Sequence, residues 1–183
     1  MKISLKRLTR NELELLMNWR MSDEVNRYLI TSPKLTMEGQ YKWFEKIKDD
    51  RTQIWWIIWV DDNPVGCMYL TNIDYDNLRC YGPGWFIIEK KHLNLKQTVA
   101  LHRNCCDFVF NVLRLNRLYG DVMAENERVV QLVKLCGFEI EGKLKQHVIK
   151  DGVFHDMILV GLTKEQVENK KASFRFEKID IEF

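Results

Sequence analysis

Three β-rich stretches follow one another between residues 53 and 88, separated only by "DDNP" and "YDN". Gaps that short cannot carry a crossover, so residues 53–60, 65–74 and 79–88 are expected to pair as an antiparallel meander. This meander constrains the fold most, because every other element must pack on its faces or extend its edges.

Residues 2–8 alternate apolar and polar and predict a first strand, after which Thr9 is placed to cap a helix carrying Leu13, Leu15, Leu16 and Trp19. A polar stretch with Pro33 reads as a short helix and a loop. Thr36 then opens a second helix with Tyr41, Phe44 and Ile47 on one face. Beyond the meander the spacing predicts a long helix over 95–113 and a strand in "NRLYGDVM". A helix over 127–135 follows, ended by Gly137, and two strands turn at "KDG". The class is α+β: a mixed, mostly antiparallel central sheet flanked by helices. Residues 1–163 read as one domain. Residues 164–183 read as an extension, a short charged helix and an alternating segment "SFRFEKIDIEF" that either covers a sheet edge or pairs with a second subunit in a homodimer.

Composition removes several classes of function. The longest apolar run, "IWWIIWV", is far too short to cross a bilayer. The first residues lack a secretory pattern, so a cytoplasmic location is expected. The five cysteines are odd in number and lack metal-ligand spacing, so reduced, buried thiols and no metal are expected. A net charge of +2 is too mild for a nucleic-acid partner.

Two segments carry a family resemblance. "AENERVVQLVKLCGFEIEGKLKQHVIKDGVFHDMILVGL" (124–162) resembles the C-terminal half of the GNAT family of acetyl-CoA-dependent N-acetyltransferases, near its ribosomal-protein N-terminal and amino-sugar branch. "MNWRMSDEV" (17–25) is similar to the "WR" segment of bacterial amino-sugar N-acetyltransferases of the pseudaminic acid type. The resemblance implies a GNAT fold in which the fourth and fifth strands splay apart. Acetyl-CoA would then enter as co-substrate between them, along Phe86, Ile87 and Ile88. It further implies a diphosphate site at the head of the long helix, formed by Lys96, Gln97, Thr98 and Val99. The family's loop there reads R/Q-x-x-G-x-G/A, and this chain has Leu93, Lys96 and Thr98 at the three marked positions. A side chain at Lys96 takes room that glycine would leave for phosphate, although the backbone amides needed to hold it are unchanged in kind.

The family's acidic residue on the fourth strand would fall near Gly82, and its leaving-group tyrosine at Val133; neither is present. The catalytic candidates are therefore Tyr81, Asn126, His147 and His155. Asn126 also matches the family's acyl-CoA contact, and equally suits a helix cap. The histidines titrate in the range that proton transfer needs, and a packed or surface role is the alternative. Trp19, Arg20 and Tyr81 are the acceptor-binding candidates, since an aromatic beside a fixed fork of donors suits a sugar nucleotide. The implied reaction is direct acetyl transfer to the amine of a nucleotide-linked amino sugar. The alternatives are a protein N-terminal acetyltransferase, or a binding protein on the same fold that has lost CoA.

Overall fold

The computed structural model describes residues 1–88, 93–170 and 174–183. Eight strands form one mixed sheet in the order β6-β7-β5-β4-β3-β2-β1-β8. They are β1 (Ile3–Arg7), β2 (Ile54–Val60), β3 (Asn63–Asp74), β4 (Arg79–Ile87), β5 (Arg117–Met123), β6 (Glu139–Lys150), β7 (Val153–Thr163) and β8 (Asp180–Ile181). The meander β2–β3–β4 is antiparallel, as its short turns require, and β1 adds antiparallel to β2. β4 and β5 run parallel, which their connection through a helix permits.

β2 is buried almost end to end because helices cover both of its faces. On one side α1 (Leu13–Met21) and α3 (Met37–Ile47) place Leu13, Leu16 and Ile47 against Ile57 and Cys67. On the other, α4 (Leu95–Asp107) places Leu101, Cys105 and Cys106 against Trp56, Met68 and Leu118. Thr9 caps a single 3-10 turn leading into α1, and the Thr36 hydroxyl accepts from the Gly39 amide at the head of α3. α4 is shorter than its spacing predicts: from Phe108 to Val112 the coil widens into a π-helical turn. Phe108, Val109 and Phe110 are all buried in that turn.

α2 (Asp23–Asn26) follows α1 directly, α5 (Glu127–Leu135) lies between β5 and β6, and α6 (Lys164–Asn169) follows β7. β6 and β7 close through Asp151 and Gly152, both at positive φ, the backbone of a type I′ hairpin turn. Residues 174–183 cross the outer side of α4. Asn104 donates to the Glu177 carbonyl and accepts from the Ile179 amide, and the Trp56 indole N–H donates to the Glu182 carbonyl. The chain then ends in β8, parallel to β1 at that edge of the sheet.

Among the described residues, no helix is long and apolar enough to cross a membrane. The five cysteines are buried free thiols. Burial pushes the thiols of Cys80 and Cys136 up to about 12 and that of Cys105 higher still, so none is a ready nucleophile.

Candidate active site

β4 and β5 pair over only three positions, Arg79–Arg117, Cys80–Leu118 and Tyr81–Tyr119, and then separate. The separation coincides with irregular backbone in β4: Gly82 has φ +135°, and the register against β3 shifts between Tyr69 and Thr71. Beyond Tyr81, β4 is bonded on its β3 side alone, so its other edge opens onto a cleft of about 1220 Å³. Residues 82–87, including Phe86 and Ile87, form one wall with Thr98 and His102 of α4. Gly120 to Met123 of β5 and Asn126, Leu132 and Val133 form the other. The segment after α1, from Asp23 to Thr31, makes the lip.

Polar side chains from four elements meet on the floor. Tyr81 of β4 is paired with Tyr119 of β5, so the two side chains share a face, and Asp121 is the diagonal neighbour on that face. The Tyr81 hydroxyl donates to the Asp121 carboxylate. Burial, then the hydrogen bond and charge of Asp121, push the Tyr81 phenol far above its ordinary range, so it stays protonated. Tyr69 of β3 lies alongside, stacked on Trp55 at 4.3 Å, and burial raises its phenol as well. The Tyr69 ring fills the space a Cβ at Gly84 would need, 2.2 Å away, which is why glycine stands there. Burial raises the Cys67 thiol as it does the Tyr69 phenol, the charge of Arg20 at the end of α1 partly opposes both rises, and the buried Nε of Arg20 finds no hydrogen-bond acceptor among the described residues.

The other candidates fall in different places. Asn126 lines the cleft, and its side chain makes no capping bond to α5, so the two roles open to it in sequence separate here. His147 and His155 stand outside the cleft lining: His147 is exposed on β6, and the His155 ring pairs with Glu125 at 3.2 Å. Both belong to the β6–β7 hairpin: the register puts His155 on the Asp121 face but beyond Met157, the last residue of that row in the lining, and puts His147 on the opposite face. Trp19 is also outside the lining, its ring edge-on to Phe86 at 6.3 Å within the core over α1.

At the head of α4, Asn94 forms a capping box. Its side chain accepts from the Gln97 amide, and its carbonyl accepts from the Thr98 amide. Two of the amides offered to a diphosphate, those of Gln97 and Thr98, are therefore already bonded within the chain. Lys96 is exposed, Val99 packs on the core, and the Ile88 amide is spent on the Val65 carbonyl. The start of the loop, 89–92, lies outside the described residues.

Sequence reasoning missed Asp121 and His102. Asp121 had a signal, a lone acid inside the apolar strand "RLYGDVM". His102 is wholly buried, its Nδ1 2.9 Å from the Thr98 carbonyl and its ring edge-on to Trp85 at 4.7 Å. Burial lowers it to about 4, so the ring is neutral with its proton on Nδ1. Among the described residues, no group of three or more His, Cys, Asp or Glu is arranged to hold a metal ion.

Residues 2–139 match the family described as Acetyltransferase (GNAT) domain. The spermidine N(1)-acetyltransferase of Vibrio cholerae is 24% identical over 157 residues, covering 85% of this chain and 90% of that protein. The Escherichia coli enzyme of the same name is 22% identical over 164 residues, 90% of this chain and 87% of its own. In fold, the chain is similar to the crystal structure of the Vibrio cholerae spermidine N-acetyltransferase in complex with CoA and spermine. The TM-score is 0.83 at 22% identity, covering 92% of this chain and 99% of that one.

Proposed function

The chain belongs to the GNAT acetyltransferase family and is an acyl-CoA-dependent N-acyltransferase, and from that premise we propose that its acceptor is the primary amine of a small polyamine. The observation that carries this reading is Asp121, a carboxylate held by Tyr81 where β4 and β5 part. Asp23 and Glu24 line the lip of the same cleft, so an extended polycation would meet carboxylates at both ends. The similarity to spermidine N(1)-acetyltransferases supports the same substrate class. It lends nothing to the amino-sugar or ribosomal-protein branches that the sequence motifs suggested.

The residues fit acetyl-CoA. The open edge of β4 offers unpaired backbone groups to a pantetheine arm, Asn126 has a side chain free of its helix, and Lys96 supplies charge beside the head of α4. When bound, acetyl-CoA supplies an acyl thioester. An alkyl amine is neutral in only about one molecule in a few thousand at pH 7, so the site must remove a proton. Asp121 attracts the ammonium and takes that proton as the nitrogen attacks. Its pull on Tyr81 then weakens, and Tyr81 would pass its proton to the departing sulfur and take the second proton that the nitrogen sheds as the amide forms, while Asp121 returns the first to solvent; Val133 can do none of this.

Arg20, Arg27 and Arg128 also line the cleft, and the unpaired Nε of Arg20 favours a second reading, an acceptor carrying phosphate such as a nucleotide-linked amino sugar. Thiol release from acetyl-CoA with spermidine, a nucleotide-linked amino sugar and an unblocked peptide separates the readings. Spermidine is expected to give the highest kcat/KM. A higher value for the amino sugar overturns the polyamine reading in favour of Arg20, and turnover of the peptide alone overturns both.

A further inference from the structure

Lys150, the last residue of β6, is only 9% exposed, yet among the described residues no carboxylate faces its ammonium in a hydrogen bond. Its Nζ instead donates to three main-chain carbonyls: those of Asn26, Arg27 at 3.2 Å and Leu29 at 2.8 Å. An ammonium has three donors, and all three are used. The carbonyls belong to the end of α2 and the turn after it, where a helix leaves acceptors unsatisfied and carries partial negative charge. The same stretch, Arg27 to Thr31, is the lip of the cleft. The tight turn at Asp151 and Gly152 fixes where Lys150 stands, so the lip is tied to the rigid hairpin across more than 120 residues of sequence.

We propose that Lys150 is a positioning residue for acceptor specificity: its ammonium clamps the Asn26–Leu29 backbone to the β6–β7 hairpin and so sets the shape of the acceptor lip. The inference rests on the acceptor reading given above for its kinetic consequence, but the clamp itself can be read without any substrate. Within the lip, the Leu29 amide bonds back to the Asn26 carbonyl in the same turn, and Tyr28 and Ile30 are exposed, so neither ties it to the hairpin. Loss of the ammonium takes a charged donor from all three carbonyls: that of Asn26 keeps the Leu29 amide, while those of Arg27 and Leu29 must turn to water, which frees the lip from the hairpin.

Two variants test it, Lys150→Met, which keeps the stem and removes every donor, and Lys150→Arg, which keeps the charge in a planar fork that cannot reproduce a three-way tripod. The first readout is tryptic cleavage after Arg27, whose carbonyl is one of the three that Lys150 holds. The second is the acceptor KM beside kcat, with acetyl-CoA affinity by calorimetry. Cleavage after Arg27 and acceptor KM are expected to rise in the order parent, Lys150→Arg, Lys150→Met. The full change is about 10- to 100-fold, the range expected when buried acceptors lose a charged donor. Acetyl-CoA affinity and kcat stay near the parent's. If Lys150→Met does not fold, the parent and Lys150→Arg carry the comparison. Cleavage after Arg27 as slow as in the parent overturns the clamp. Faster cleavage with an unchanged acceptor KM overturns the specificity role alone. No turnover with any amine, together with faster cleavage, leaves the clamp standing and sinks the acceptor reading on which its kinetic role depends.

Discussion

The two sides of the cleft are built by different means. The α4 side is made of backbone and apolar packing: an unpaired strand edge from Gly82 onward, a helix whose first amides close on Asn94, and a neutral histidine against Trp85. The other side, where we propose the acceptor binds, is made of charged side chains drawn from distant elements: Arg20 from α1, Asp121 from β5, Asp23 from α2 and a lip held by Lys150 from β6. A surface made of backbone tolerates exchange of side chains, which explains how a glycine-free loop stays compatible with the fold. A surface made of converging charges does not, and substitutions there should cost turnover before they cost stability.

The largest test of that contrast is Asp121→Asn. It keeps shape and removes the charge, and turnover with the amine acceptor is expected to fall by roughly 10²–10⁴-fold, the usual worth of a positioned acid–base group. Acetyl-CoA affinity by calorimetry should hold. An equal loss of both would place Asp121 on the cofactor side and erase the division. On the opposite side, Leu101→Ala empties a fully buried position of α4. It should lower unfolding free energy by about 2–5 kcal/mol in urea melts, while the acceptor KM of the remaining folded enzyme is unchanged.

The buried His102 gives the α4 side a pH signature. Its folded value, about 4, lies below the ordinary histidine value, so the unfolded chain binds a proton first as pH falls. Stability is whole above about pH 6.5 and is lost progressively down to about pH 4, by on the order of 3 kcal/mol. His102→Leu should flatten that slope in melts at pH 7 and 4.5; an unchanged slope assigns it to another group. The smallest effect is expected at Asn94→Ala. Loss of the cap costs about 1 kcal/mol of stability. The freed Gln97 amide should leave acetyl-CoA bound at least as tightly, and weaker binding would make Asn94 itself a ligand.

Elements whose signals are local were legible. The caps at Thr9 and Thr36, the meander and the turn at "KDG" each depend on residues within a few positions of one another. Candidates that depended on how far a hairpin carries them were not: past the bulge between Leu144 and Val148, His147 falls on the face opposite His155, and His155 shares the Asp121 face but stands beyond the cleft lining, paired with Glu125. Trp19 and Arg20 are neighbours in sequence, yet one packs under Phe86 and the other reaches the cleft.

What the sequence alone determined is the order of strands and helices and the α+β class, because periodicity and turn length are properties of short windows; the opening of β4 from β5 came only from the family resemblance. What only the tertiary structure decided is which side chains meet. Tyr81 finds Asp121 across 40 residues, and Lys150 finds the α2 carbonyls across more than 120. Those meetings follow from strand register and from the hairpin's reach. A one-residue slip in either would turn each side chain to the opposite face.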